Sequence, residues 1–526
     1  MAVATAPLAA PIGDPAGATA DGTPEQIHLT WGDDPTRTVH VSWASGAQSV
    51  RPRVTLDRAG AHRREIHAVQ RTYTDGMNGQ TVFTYHARLD DLGPDSLYRY
   101  TVTADNDRHH QAPFAADFRT APRGRHPIRW TSFGDLATPV TAWTLSSPQS
   151  YHAVSAVEQF EPLFHLINGD LCYANLNPES QPAVWADFGN NVQRSASRRP
   201  WMPCPGNHEI EFGNGEQGLN AYLTRYSLPD NHTRFPGRWY CFKLSSALFI
   251  SLAADDVIYQ DSGAFLAGPY PLTPAPSTGN PPIQPGTSIY VRGYSGGEQT
   301  RWLEDTLKAA RADDGIDWIV VQMHQDALSS STHGNGCDKG LREAWLPLFE
   351  QYGVDLVLCG HDHDYERSWP VRGCNHDVGR DVATGNKVDT LQPRPVTTSE
   401  PEHGFDATLG TIHLILGGGG TSSPLDAYGP QAKVITRPNR PKPGPVTGVF
   451  VKDPADAVED AIWSARRDTV TGYGIGVFDL DPGSPGGRTS ITMRYYHAVG
   501  ADRTASGQYE LFDTLVLFKQ RRDAKP

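Results

Sequence analysis

The sequence predicts two domains, an all-β sandwich followed by a layered α/β unit, and three observations carry that prediction. The chain has 526 residues, beyond the size at which a single hydrophobic core stops growing. Residues 24–120 hold short runs of alternating apolar and polar residues, the period of a half-buried strand. After residue 127 the pattern changes to short apolar runs separated by helix-patterned segments.

Residues 1–23 are rich in Ala, Gly, Pro and Asp and read as a disordered lead-in. Met1 to Pro11 lacks the basic start of a secretory signal, so it reads as the remnant of one at most. In the first domain, Ile27–Trp31 and Val39–Trp43 alternate as strands. Leu92-Gly93-Pro94 followed by Tyr98-Arg99-Tyr100 resembles the tyrosine corner of fibronectin-type sandwiches. With no cysteine and no dense polar cluster, 24–120 reads as a support domain.

Residues 121–127 form a Pro, Gly and Arg linker to a second domain spanning 128–526. Thr300 to Ala312 is helix-patterned, with Trp302, Leu303, Thr306, Leu307 and Ala310 on one face. Further strands are predicted at 411–416, 473–480, 489–496 and 511–518. Gly263–Gly297 and Val371–Gly410 read as long surface loops, which often carry function.

Composition narrows the function. A net charge of −13 argues against a nucleic acid or anionic membrane partner, and no apolar run is long enough to span a bilayer. Six cysteines contain no Cys-x-x-Cys pair, so a structural zinc site is not expected. Cys172, Cys204 and Cys359 read as packed thiols, and Cys337 with Cys374 as the candidate disulfide, since both flank one strand. Asn231-His232-Thr233 fits a glycosylation sequon.

The chemistry lies where apolar runs stop. Ile128–Phe133 ends in Gly134-Asp135, and Leu163–Ile167 ends in Asn168-Gly169-Asp170-Leu171-Cys172-Tyr173. Trp201–Cys204 ends in Pro205-Gly206-Asn207-His208-Glu209, and Trp318–Met323 ends in His324. Val354–Cys359 ends in Gly360-His361-Asp362-His363. Ligand sites in α/β sheets form at the carboxyl ends of strands. Carboxylate, phenol and imidazole donors suit iron, manganese or zinc. Alternate residues of an extended segment share a face, so His361 and His363 can reach two metals side by side. A metal pair about 3.5–4 Å apart clamps the attacking and leaving oxygens of phosphoryl transfer.

These five endings in order resemble the motif series of calcineurin-like metallophosphoesterases. The Tyr173 spacing and Tyr365-Glu366-Arg367-Ser368 resemble purple acid phosphatases in particular. The resemblance implies a fibronectin-III-like β-sandwich followed by an α/β four-layer metallophosphoesterase sandwich. It also implies that Asp135, Tyr173 and His363 hold Fe(III), that Asn207, His324 and His361 hold a divalent Fe, Zn or Mn, and that Asp170 bridges them. His208 would touch the phosphate, and His333 would contact it or protonate the leaving group. Small phosphate monoesters would be the substrates, attacked by hydroxide on the metal pair at acidic to neutral pH. Secretion, or a periplasmic or cell-surface location, is implied in the same way.

The chain departs from the family in places. Many metallophosphoesterases have Asp-x-His at the first ending, whereas here Asp135-Leu136-Ala137 lacks the histidine and Tyr173 can replace it. Ala137 stands where glycine is usual, and its methyl could crowd the metal face. Glu366 and Arg367 read as an ion pair or as supports for the histidines, and Gly417–Gly420 as a close-packed turn beside the site. Phosphodiester hydrolysis on the same metals is one alternative function. A binding protein retaining a relic site is another.

Overall fold

The computed structural model describes residues 13–58, 62–108, 113–211, 213–215, 217–260, 293–332, 335–422, 429–443, 450–499 and 505–523. The first domain is a sandwich of two four-stranded antiparallel sheets. One contains Glu25–Trp31, Val39–Ser45, Thr81–Leu89 and Val69–Thr74, and the other Arg64–His67, Arg53–Asp57, Leu97–Thr103 and Phe114–Arg119. The tyrosine corner is present, with the Gly93 N–H donating to Tyr98 Oη at 2.7 Å.

Val39–Ser45 is buried along its whole length, although its sequence alternates. Its polar face lies against the second domain. Ser42 Oγ meets His86 Nδ1 at 2.8 Å, and His86 Nε2 meets the Thr224 carbonyl at 2.9 Å. The Trp31 N–H points at Met202 Sδ, and Tyr100 Oη donates to the Ser197 carbonyl at 2.7 Å. The sandwich is therefore fastened directly beneath the strands that carry the site.

The second domain is built on two seven-stranded sheets. In one, Ile128–Phe133, Phe164–Asn168 and Trp201–Cys204 run parallel. In the other, Ala247–Ser251, Trp318–Gln322, Leu356–Cys359 and Ile412–Leu416 run parallel. These strands are mostly apolar and almost wholly buried because both faces of each sheet are covered. Trp130, Phe164, Phe249, Leu358 and Leu414 pack between the sheets. Helices Gln149–Phe160 and Gln181–Ala196 cover one outer face, and Glu298–Ala312 and Leu346–Tyr352 the other. The result is four layers, helices–sheet–sheet–helices. Leu303, Leu307 and Ala310 are the buried stripe of Glu298–Ala312, as its spacing predicts.

Polar side chains tie the carboxyl ends of the two sheets together. Gln322 Nε2 donates to the carbonyls of Ile167 at 2.7 Å and Met202 at 3.2 Å. Asn168 Nδ2 donates to the Cys359 carbonyl at 3.2 Å.

Several expectations are corrected. Residues 371–410 are not a plain loop. They form the strands Val371–Asn375, Gly379–Asp381, Lys387–Val388 and Gln392–Pro395, and Gly379–Asp381 pairs with Phe450–Asp460. Most of the 263–297 insertion lies outside the described residues. Cys337 and Cys374 are not joined, and all six cysteines are free. Cys337 is buried and donates to the Ser329 carbonyl at 3.1 Å, while Cys374 faces His376. Glu366 and Arg367 do not pair, because adjacent strand residues point to opposite faces. Glu366 accepts from Ser329 and Ser330, and Arg367 pairs with Asp513 at 2.7 Å. Asn231 is buried and donates to the carbonyls of Phe235 and Trp239, so its amide is already engaged.

Candidate metal centre

The five strand endings converge at one edge of the two sheets, and their donors fall into two groups. In the first, Tyr173 Oη lies 2.9 Å from Asp135 Oδ1 and 3.1 Å from His363 Nε2. His363 Nε2 is 3.3 Å from Asp135 Oδ1, so three donor atoms surround one point. In the second, donor atoms of Asp170, His324 and His361 all lie within 4.8 Å of one another. His324 Nε2 is 3.0 Å from Asp170 Oδ2 and 3.2 Å from His361 Nδ1.

Neighbouring groups fix which atoms face inward. His324 Nδ1 meets the Asn168 carbonyl at 2.7 Å, which places a proton on Nδ1 and turns Nε2 inward. His361 Nε2 meets Gln260 Oε1 at 2.8 Å, which leaves Nδ1 as its inward lone pair. Asn207 Oδ1 is buried and has no hydrogen-bond partner among the described residues. A buried amide oxygen left bare costs free energy unless a cation accepts it. His208 Nδ1 meets Asn175 Oδ1 at 2.8 Å, and its Nε2 is 3.9 Å from Asp170 Oδ2 on the open side. His333 lies outside the described residues.

The backbone is strained where these donors sit. Asp135, Asp170, Tyr173 and His361 have φ of 58°, 48°, 59° and 68°, the left-handed region that costs non-glycine residues about 1–3 kcal/mol each. Such strain persists only where the surroundings over-determine it. Glu209 is one reason, since its carboxylate accepts the N–H groups of Asp170, Leu171 and Gly206 at 2.7–2.9 Å. Ala137 is also left-handed, at 57°, which accounts for glycine being the easier residue there. The four glycines after Leu416 do form a packed turn. A Cβ on Gly420 would fall 1.7 Å from the Leu136 carbonyl, and one on Gly417 2.1 Å from that of Asp362.

Electrostatics match a cation site. Burial would depress the His324 imidazole, but Asp170 and Asp135 outweigh it and hold it up to about 10. Burial, helped by His324, pushes His361 well below the usual histidine range. Burial, then Asp135 and Asp170, pushes the Tyr173 phenol well above its usual range. Burial and Asp170 raise Glu209 to about 8. A cation at either point reverses these costs, because it attracts carboxylate and phenolate and needs bare imidazole nitrogen.

Comparison with known proteins agrees with the geometry. The purple acid phosphatase N-terminal domain matches residues 24–120, and the calcineurin-like phosphoesterase domain matches residues 133–365. An uncharacterized protein of Mycobacterium tuberculosis is 41% identical over 517 residues, covering 94% of this chain and 87% of the relative. The chain belongs to the purple acid phosphatase family. It is a phosphatase, of a family built on a dinuclear metal centre. The Fe(3+)-Zn(2+) purple acid phosphatase 12 of Arabidopsis thaliana is 25% identical over 364 residues, covering 68% of this chain and 67% of that one. The structure of purple acid phosphatase PPD1 from yellow lupin (Lupinus luteus) seeds superposes with a TM-score of 0.63 at 18% identity, covering 96% of this chain and 76% of that one, and so supports the fold. Among the described residues, no helix of this phosphatase is long and apolar enough to cross a membrane.

Sequence reasoning left Asn168, Asn175 and Gln260 without roles. Asn168 opens the Asn168–Tyr173 ending and Asn175 lies two residues past it, and that neighbourhood is the only signal. Gln260 reaches the site from just before the 263–297 insertion, where nothing local marks it.

Proposed function

We propose that this chain hydrolyses small phosphate monoesters at an Fe(III)–divalent centre, at acidic to neutral pH. The observation that carries the reading is the grouping of Tyr173 Oη with Asp135 Oδ1 and His363 Nε2. A phenol driven upward by burial becomes a phenolate only beside a strong positive charge, and a trivalent ion supplies more of it than a divalent one. Asp135, Tyr173 and His363 would hold the ferric ion. Asn207 Oδ1, His324 Nε2 and His361 Nδ1 would hold the divalent ion, and Asp170 would serve both. When bound, such a pair supplies Lewis acidity and lowers the pKa of water.

The chain's own residues do the rest. Asn168 and Gln260 fix the tautomers of His324 and His361. Asn175 Oδ1 accepts from His208 Nδ1 and holds Nε2 toward the open side, where the ring, when protonated at both nitrogens, can donate to a phosphoryl oxygen. His333 would supply the remaining imidazole, and secretion or a periplasmic or cell-surface location fits the family. Turnover of a mono-aryl and a bis-aryl phosphate at equal concentration tests the reading. Faster monoester turnover supports it, and faster diester turnover replaces it with the phosphodiesterase reading.

A further inference from the structure

A second set of reactive side chains lies away from the metal centre, in the segment that follows the histidine pair. Cys374 Sγ is 3.4 Å from His376 Nε2, and His376 Nδ1 is 2.7 Å from Asp389 Oδ2. Asp389 is held in turn by the Leu391 N–H, which donates to Oδ1 at 2.9 Å. Partial burial pushes Asp389 upward, but His376 and the Leu391 N–H outweigh it and leave the carboxyl below its usual range. The imidazole uses one nitrogen for the thiol and the other for the carboxylate. That arrangement is a relay, since the three residues do not converge on one point as metal ligands would. A nucleophile within reach of a base, itself oriented by a third group, is the arrangement of an activated nucleophile.

Cys374 also lines a cavity of about 370 Å³, walled by Leu346, Pro347, Val371, Leu391 and Pro393. The other thiols are poor competitors. Cys172, Cys204, Cys337 and Cys359 are buried, and burial pushes Cys241 up to about 11.

We propose that Cys374 is a modification site, a thiol activated by His376 and Asp389 that forms a mixed disulfide with small disulfides carrying an aromatic or apolar group. His376 Nε2 takes the thiol proton. The Cys374 sulfur attacks one sulfur of the small disulfide and forms a new S–S bond. The old S–S bond breaks, and the released thiolate takes the proton from His376. The cavity accommodates the apolar group of the half that stays attached.

The test treats the metal-loaded full chain, unfolded by nothing, with 5,5′-dithiobis(2-nitrobenzoate) and follows the released aromatic thiolate. The expected result is one fast equivalent per chain, absent in Cys374→Ser and slowed about tenfold or more in His376→Gln. A fast phase that survives Cys374→Ser, or is unchanged by His376→Gln, overturns the proposal. Peptide mapping of the adduct on wild-type protein requires no variant to fold. An adduct on Cys374 that forms faster than on free glutathione supports the proposal. An adduct elsewhere, or one that forms no faster, overturns it.

Discussion

His324 and His361 approach each other nitrogen to nitrogen, Nε2 to Nδ1, at 3.2 Å. Each ring's other nitrogen is already committed, to the Asn168 carbonyl and to Gln260 Oε1. Two inward nitrogens therefore face one another beside the Asp170 carboxylate, a grouping that a cation fits by taking the place of the proton His324 holds there.

Asp170→Asn removes the charge opposite His324 and His208 while keeping the shape of the side chain. On the proposed assignment it loses the bridge, so metal content and phosphate-ester turnover fall together, turnover by about a hundredfold to a thousandfold. Metal analysis and kinetics on one preparation check this. Full turnover in a folded Asp170→Asn protein contradicts the dinuclear account.

Gln260→Ala removes the acceptor that orients His361. Groups of this kind are worth about 10–100-fold in metal affinity. The variant should require that much more free divalent ion to reach half-maximal activity, while thermal stability measured in chelator stays at the wild-type value.

Arg342 and Glu459 form a fully buried ion pair at 2.8 Å beneath the 371–395 strands. Arg342 also donates to the carbonyls of Ala327 and Thr390. Arg342→Leu leaves Glu459 as an unpaired buried charge, and a loss of about 3–5 kcal/mol in urea unfolding follows. Replacing both with Leu should recover much of that loss, since the stranded charge is then gone.

His413 is buried, with neither ring nitrogen hydrogen-bonded among the described residues, and burial followed by Arg342 pushes it from 6.5 to about 3. The folded pKa is depressed, so the unfolded chain binds the proton first as pH falls. The stability contribution is intact above pH 6.5 and declines toward pH 3, by up to about 1.4 kcal/mol per pH unit. His413→Leu should flatten the fall in stability between pH 6.5 and 4, read by urea midpoints at several pH values.

Much of this protein is legible in its sequence, and the rest is hidden for physical reasons. The strand endings at Asp135, Asp170, Asn207, His324 and His361 are visible because apolar runs stop abruptly at unusual donors. Tyr173 is visible only through its spacing from Asp170. Gln260 is invisible because tertiary packing alone brings it to His361. The strands within 371–395 and at Gln431–Pro443 are missed because their sequences are polar and interrupted by Pro and Gly. The free state of Cys337 and Cys374 is missed because sequence position says nothing about which way a thiol points.

Metal content measured together with the visible spectrum, on protein purified without added metal, tests the central claim most directly. The account expects about two metals per chain, one of them iron, and a broad visible band that disappears in Tyr173→Phe. A chain that carries no metal and takes none up, or a band unaffected by Tyr173→Phe, would contradict it.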